Sequence, residues 1–256
     1  TSRLTIEIQG VPYDKIDDLR AFVEEYGLET GGTGSKVRPV VSCKGTTCQY
    51  GLADTFDLSN KIHDRFFKGY ADVKLPHKFK IAVGGCPNNC VKPNLNDLGI
   101  VGQRIPGFKA DLCRGCKVCQ VENACPVKAA KVVDGVLTIN KDVCNNCGRC
   151  INTCPFKAMP DGQYGYRVYI GGRWGKKYAH GRPLDPVFTS EEEVMQIIEK
   201  AILLFREQGE TGERFSDTIK RLGFENVQAQ LLGNELLERK DQIIGAKLHL
   251  VGGATC

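Results

Sequence analysis

The chain has 256 residues, 41% hydrophobic and 25% charged, with 35 Lys and Arg against 30 Asp and Glu for a formal charge of +5. That balance lies far from the weakly hydrophobic, highly charged signature of disorder and supplies enough apolar side chains for one or two packed domains. No apolar run approaches the ~20 residues of a membrane-spanning helix, and the basic residues are not interleaved with aromatics, so neither a membrane span nor a nucleic-acid partner is expected.

Leu4 to Val11 alternates apolar and polar residues, with Leu4, Ile6 and Ile8 on one side, and predicts a half-buried strand. Asp14 to Tyr26 follows as an amphipathic helix with Ile16, Leu19, Val23 and Tyr26 on one face, closed by Gly27. Gly31, Gly32 and Gly34 mark a turn, and Arg38 to Ser42 is a short strand running into Cys43. Leu52 to Phe67 is a helix, and Lys78 to Val83 a strand that leads into Gly84-Gly85-Cys86. Strands and helices in this order describe an α+β plan rather than a parallel doubly wound sheet. From Phe108 to Tyr164 the composition changes to eight cysteines, two Cys-Pro steps and one short strand pair around Val132 to Ile139. Strand-like sequence resumes at Tyr166 to Gly171, so this segment is inserted into a host domain. Ser190 to Glu193 is a capping box that opens a helix ending at Gln208 and Gly209, with Val194, Ile197, Ile198, Ala201, Leu204 and Phe205 on its apolar side. Glu213 to Leu222 is a second helix, and Asn226 to Cys256 gives no clear pattern.

Twelve of the 13 cysteines fall into three sets of four. Cys113, Cys116, Cys119 and Cys125-Pro126 form one run, and Cys144, Cys147, Cys150 and Cys154-Pro155 another. Cys43 and Cys48 lie well upstream of Cys86 and Cys90. Disulfides would suit a short, loop-rich secreted chain, and zinc would use separated Cys-x2-Cys pairs, often with histidine. Three cysteines at two-residue steps followed by Cys-Pro is instead the spacing of a bacterial two-cluster ferredoxin. Three [4Fe–4S] clusters are therefore expected, with crossed ligation in the tandem pair. One would use Cys113, Cys116, Cys119 and Cys154, the other Cys144, Cys147, Cys150 and Cys125. At about −2 each, three oxidised clusters would bring the net charge to about −1, so the surplus of Lys and Arg compensates cofactor charge. Unpaired thiols and oxygen-sensitive clusters point to the cytoplasm. Cys256 is left over and is expected to have no role, and each of the four histidines is expected to be structural or exposed.

Val40 to Cys48 and Ile81 to Cys90 each put a cysteine pair at a strand end. With Leu75-Pro76-His77-Lys78-Phe79-Lys80 before the second pair and Lys92-Pro93-Asn94-Leu95-Asn96-Asp97-Leu98-Gly99 after it, the chain resembles the sulfite and nitrite reductase family over nearly its whole length. The first pair is separated by four residues, one fewer than is usual there. The resemblance implies that Cys43, Cys48, Cys86 and Cys90 hold a [4Fe–4S] cluster, with Cys90 also bridging to the iron of a sirohaem. It implies an anion-binding Arg3 within Thr1-Ser2-Arg3, a second arginine at Arg38, and active-site lysines at Lys78 and Lys80. Thr46, Thr47, Asn88, Asn89, Lys92, Asn94 and Arg173 are the implied further sirohaem contacts. Fixed cations of this kind hold cofactor carboxylates, attract a small oxyanion and can pass protons to it.

The implied fold is a ferredoxin-like half-domain plus a sirohaem and [4Fe–4S] reductase domain, divided as 1–107 and 165–256, with the two-cluster ferredoxin domain at 108–164. The implied function is multi-electron reduction of sulfite to sulfide. Nitrite reduction to ammonia at the same site, and an electron-transfer subunit without sirohaem, stay open. Because the chain carries one half-copy of a site that the family builds from two, a homo-oligomer or a complex with a related subunit is expected. An electron-donor protein is expected to dock near the inserted segment.

Overall fold

The structure, a computed structural model, describes Arg3 and residues 5–248. The strand expected over Leu4 to Val11 does not form. Leu4 lies outside the described residues, while residues 5–11 join no sheet and leave Ile6 78% and Ile8 56% exposed. Alternation makes a strand only where a neighbouring edge takes up its N–H and C=O groups. Helix α1 (Ile16–Glu24) follows a 3-10 turn at Tyr13–Lys15, and the chain turns away at Gly27, whose φ of +70° suits glycine. None of the α1 residues is buried.

Strand β1 (Val41–Ser42) leads to α2 (Thr55–Ile62), which is capped by the Asp54 carboxylate and continues as a π-helical turn over His63–Lys68. Strand β2 (Ile81–Gly84) precedes β3 (Leu98–Gly107), a long strand that the sequence did not signal. Six consecutive residues of β3, Leu98 to Gln103, are buried. A strand covered on both faces loses the alternation by which strands are recognised. Short helix α3 (Gln120–Ala124) and hairpin β4 (Ala130–Val133) and β5 (Val136–Ile139) lie between β3 and β6 (Asp161–Ile170). The hairpin turns at Asp134 and Gly135, both at positive φ, as a two-residue turn requires. After β7 (Arg182–Pro183) come α4 (Glu191–Gln208), α5 (Phe215–Leu222), α6 (Phe224–Leu232), α7 (Glu235–Glu238) and α8 (Lys240–Gly245). The capping box at Ser190 and Glu193 is fully formed, a device typically worth about 1 kcal/mol.

The main sheet has the order β1-β2-β3-β6-β7. Its first two pairings are parallel and its last two antiparallel, so the sheet is mixed, and a parallel unit forms one side of it with α2 crossing between β1 and β2. The β3–β6 ladder runs from Leu98 opposite Ile170 to Gly107 opposite Asp161. One face of the sheet packs on α4, which is buried from Ile197 to Arg206. There Phe79 meets Phe205 and Phe215 with ring centroids 5.9 and 5.2 Å apart. Between β3 and β6 the chain builds a second, smaller core from Val121, Ala130, Leu137, Ile151 and Met159, with several cysteines at its margin. Among the described residues no helix is long and apolar enough to cross a membrane.

Candidate functional site

Parallel strands end on the same side of a sheet, and this brings the split cysteines together. Ser42 pairs with Val83, so Cys43 and Cys86 leave β1 and β2 at neighbouring points. The Gly85 N–H donates to Cys43 Sγ at 3.2 Å. Cys48 follows a 3-10 turn over Gly45–Thr47, and Cys90 follows Asn89, which sits at φ +58°. Burial pushes the Cys86 thiol up, and the nearby Cys43, Cys90 and Cys48 add to that rise. The four thiols are thus mutual neighbours, with Cys90 the most exposed. Close backbone approach makes this possible. A Cβ on Gly45 would stand 2.9 Å from the Gly85 Cα and 2.6 Å from the Thr55 methyl.

The other eight cysteines divide across the two runs. Burial raises the Cys150 thiol to about 11, and Cys144, Cys147 and Cys125 contribute to the rise. Cys144 likewise has Cys147 and Cys125 as charged neighbours. The last cysteine of the first run therefore stands among those of the second. Every cysteine among the described residues is a free thiol, and no three His, Cys, Asp or Glu side chains among them are drawn up around a single-ion position. Cys256 lies outside the described residues, as do Thr1 and Ser2.

The second run is fastened to the host sheet beside the split quartet. The Arg104 N–H donates to Asn146 O at 2.7 Å, and Arg104 bridges Cys147. Two residues earlier on β3, Gly102 lies against Gly85, next to Cys86. Arg149 stacks on the ring of Tyr50, just past Cys48, at 5.0 Å. A cavity of about 250 Å³ lies between the two groups, with Pro87 and Asn89 on one wall, Cys144 and Asn145 on the other, and Gln103 and Arg167 from the sheet.

At the opposite, amino ends of β2 and β3 stands a wall of cations. Phe79 points into the core, which by strand alternation sends Lys78 and Lys80 to the other side. The Arg3 guanidinium donates to Asn96 Oδ1 at 2.8 Å and Ile81 O at 3.1 Å; burial and the nearby Arg38 pull its pKa down to about 10, opposed by Asp97. Arg38 donates to Gly32 O at 2.8 Å. Lys80 falls to about 8, through burial first and then Arg3, Arg214 and Lys78, with Asp97 acting against the fall. His77 is held down at about 4 by burial and by Arg214, Lys78, Arg173 and Arg38, so it is neutral near pH 7, and its Nδ1 accepts from the Lys78 N–H. His77, half-buried and bonded to the backbone beside it, thus stands next to the cations. Asp97 and Arg214, which pattern reading also missed, lie at its base. Asp97 lies within the Lys92 to Gly99 segment, but nothing local pairs it with Arg214.

The remaining expected contacts are mostly engaged within the chain. Thr46 Oγ1 donates to Asp54 Oδ1 at 2.7 Å and accepts the Phe56 N–H, tying the Cys43–Cys48 loop to the start of α2; Thr47 donates to Lys44 O. The Asn88 N–H donates to the Cys86 thiol. Asn89 donates to Asn94, which contacts His180, and Lys92 donates to Asn89 O. Arg173 pairs with Asp217 at 2.8 Å. These bonds shape the loops between the split quartet and the cation wall. The donor sets suit the expected groups. Four gathered sulfurs match a four-thiolate cluster. A wall of partly dehydrated cations in front of the buried carboxylate of Asp97 suits anionic ligands such as sirohaem carboxylates and an oxyanion.

Residues 33–240 match the family described as "Nitrite and sulphite reductase 4Fe-4S domain". The chain is 34% identical over 227 residues to a coenzyme F420-dependent sulfite reductase of Methanocaldococcus jannaschii, covering 88% of this chain and 35% of that protein. It is 27% identical over 224 residues to the alpha subunit of a dissimilatory-type sulfite reductase of Allochromatium vinosum, covering 80% and 54%. The crystal structure of dissimilatory sulfite reductase I superposes with a TM-score of 0.64 at 25% identity, covering 85% of this chain and 57% of that one. The chain thus spans between a third and just over half the length of these relatives.

Proposed function

Because this chain belongs to the nitrite and sulphite reductase 4Fe-4S domain family, we propose that it is the cofactor-binding part of a sirohaem-dependent sulfite reductase. The observation that carries this is the division of labour across β2, which has Lys78 and Lys80 before it and Cys86 and Cys90 after it. At ~3.3 Å per residue, its four residues put a strand on the order of 13 Å long between the two groups. Cys43, Cys48, Cys86 and Cys90 would hold the [4Fe–4S] cluster, with Cys90, the most exposed, turned to the sirohaem. Arg3, Arg38, Lys78 and Lys80 would face the oxyanion. When bound, sirohaem and clusters supply the iron centre and the electrons for sulfite reduction.

The chain's own residues attract and orient the anion. Lys80, near 8, carries its proton at neutral pH yet can release it, as a proton donor to an oxyanion oxygen must. Residues 108–164 are read as a two-cluster ferredoxin domain, with 1–107 and 165–256 forming the host. Support comes from the separate small core there and from Cys125 standing among Cys144, Cys147 and Cys150. Sulfite is favoured over nitrite because the relatives above are named sulfite reductases. A relative named as a subunit favours work in a complex with a second, related chain, which an electron-donor protein would supply, in a reducing cytoplasm. The absorption spectrum of anaerobically purified protein tests the proposal. Soret and red-region bands over a broad iron–sulfur background are expected. A broad background alone, after reconstitution with sirohaem, would overturn it.

A further inference from the structure

Behind the cation wall lies an ion pair removed from water. Asp97 is 0% and Arg214 5% exposed, and Arg214 Nη2 donates to both Asp97 oxygens at 2.9 Å. Asp97 reaches forward to the wall: its Oδ2 accepts the Lys80 N–H at 2.9 Å, and the next residue, Leu98, donates its N–H to Lys80 O. Both main-chain groups of Lys80 are therefore tied to residues 97 and 98. The Asp97 carbonyl also accepts the Gly171 N–H at the turn that carries Arg173. Arg173 in turn is held by Asp217 in the first turn of α5, the helix that Arg214 precedes. One helix start thus braces both Lys80 and Arg173 from behind. Arg214 Nε is buried with no hydrogen-bond partner among the described residues.

Such a pair is costly to bury and is weak evidence for stability alone. Complete burial pushes the Asp97 carboxyl up, opposed by Arg214 and by the Lys80 N–H. We infer that Arg214, acting through Asp97, is a positioning residue of this anion site, and that the pair fixes the place and the charge of Lys80. This rests on the assignment of the wall as an oxyanion site. The charged groups facing Lys80 are Arg3, Arg214, Asp97 and Lys78. Arg214 favours loss of the Lys80 proton and Asp97 opposes it, so removing either must move the pH at which Lys80 discharges, in opposite directions.

The test is nitrite binding to the cofactor-loaded protein by calorimetry from neutral to alkaline pH, since nitrite keeps one charge throughout. In the wild type, affinity should fall as Lys80 discharges. Arg214→Met should shift that fall to higher pH, and Asp97→Asn to lower pH. Folded single variants that share the wild-type profile would overturn the inference. Either single variant leaves one buried charge unpaired and is at risk of misfolding. The double variant Arg214→Met with Asp97→Asn leaves neither charge, and net charge is unchanged. It should keep its clusters but bind nitrite about tenfold more weakly at neutral pH, the loss of one charge-assisted contact. Wild-type affinity in the double variant would overturn the inference. Absence of nitrite binding by the wild type would instead overturn the assignment of the site itself.

Discussion

Arg149 lies 5.0 Å over the ring of Tyr50 and joins the second cysteine run to the loop that carries Cys48. Both residues lie at the surface, Tyr50 42% exposed, so the contact acts as a surface clasp rather than as part of a core. Arg149→Ala should lower stability by about 0.5–1 kcal/mol, the size of an exposed cation–π contact. Chemical denaturation of the loaded protein measures this. Iron content should not change, and its loss would make the arginine part of a cluster site.

The crossing of the cysteine runs has its own test. Cys125→Ser and Cys147→Ser should remove the same paramagnetic signal from the reduced protein, and the double variant should lose no more than either single one. Additive losses would mean that each run keeps its fourth cysteine.

Gly45 and Gly85 approach so closely that neither tolerates a methyl group. A Cβ on Gly85 would sit 2.8 Å from the Gly45 Cα, which is main chain and cannot swing aside. Gly85→Ala should therefore cost about 1–3 kcal/mol, the usual range for overpacking. It should also cost about four irons per chain, since the same contact sets Cys43 beside Cys86. Iron analysis beside a thermal melt checks both.

Lys80 gives the anion site a pH dependence whose sign follows from its lowered pKa. Below about 8 the ammonium is charged and attracts an oxyanion; above about 8 the charge is lost and binding weakens. Lys80→Ala should weaken nitrite binding at neutral pH by about tenfold and flatten this alkaline fall, with cluster content intact. A variant whose binding still falls near pH 8 would assign that titration to another group.

What pattern could reveal depended on how local the cause was. The helix over 191–208 was legible to the residue because Ser190, Glu193 and Gly209 act within one turn of its ends. The split quartet could be placed at strand ends because Cys43 and Cys86 follow within one to two residues of short apolar runs, Val40-Val41 and Ile81-Ala82-Val83. Strand β3 was missed because burial on both faces removes alternation and because Gly99 and Gly102 look like turn residues; both are glycine so that Pro93 and Gly85 can approach. The strand at 4–11 was expected from alternation alone, with no partner edge to complete it. Asp97 and Arg214 are 117 residues apart and meet only once α5 has packed against the sheet, so no window of sequence could pair them.

Gly107 and Asp161 are the last pair of the β3–β6 ladder, which sets both ends of the 108–160 stretch on facing rungs, on the order of 5 Å apart. A stretch that leaves and returns at one point of a sheet can be gained, lost or exchanged in a single genetic event without shifting the register of either strand. With a two-residue turn in its place, β3 and β6 would close as an ordinary hairpin, and Lys80, Asp97 and Arg214 would stand where they do now. On the function proposed above, with 108–160 as the wiring, the host sheet could be rewired to a different source of electrons without moving its anion site.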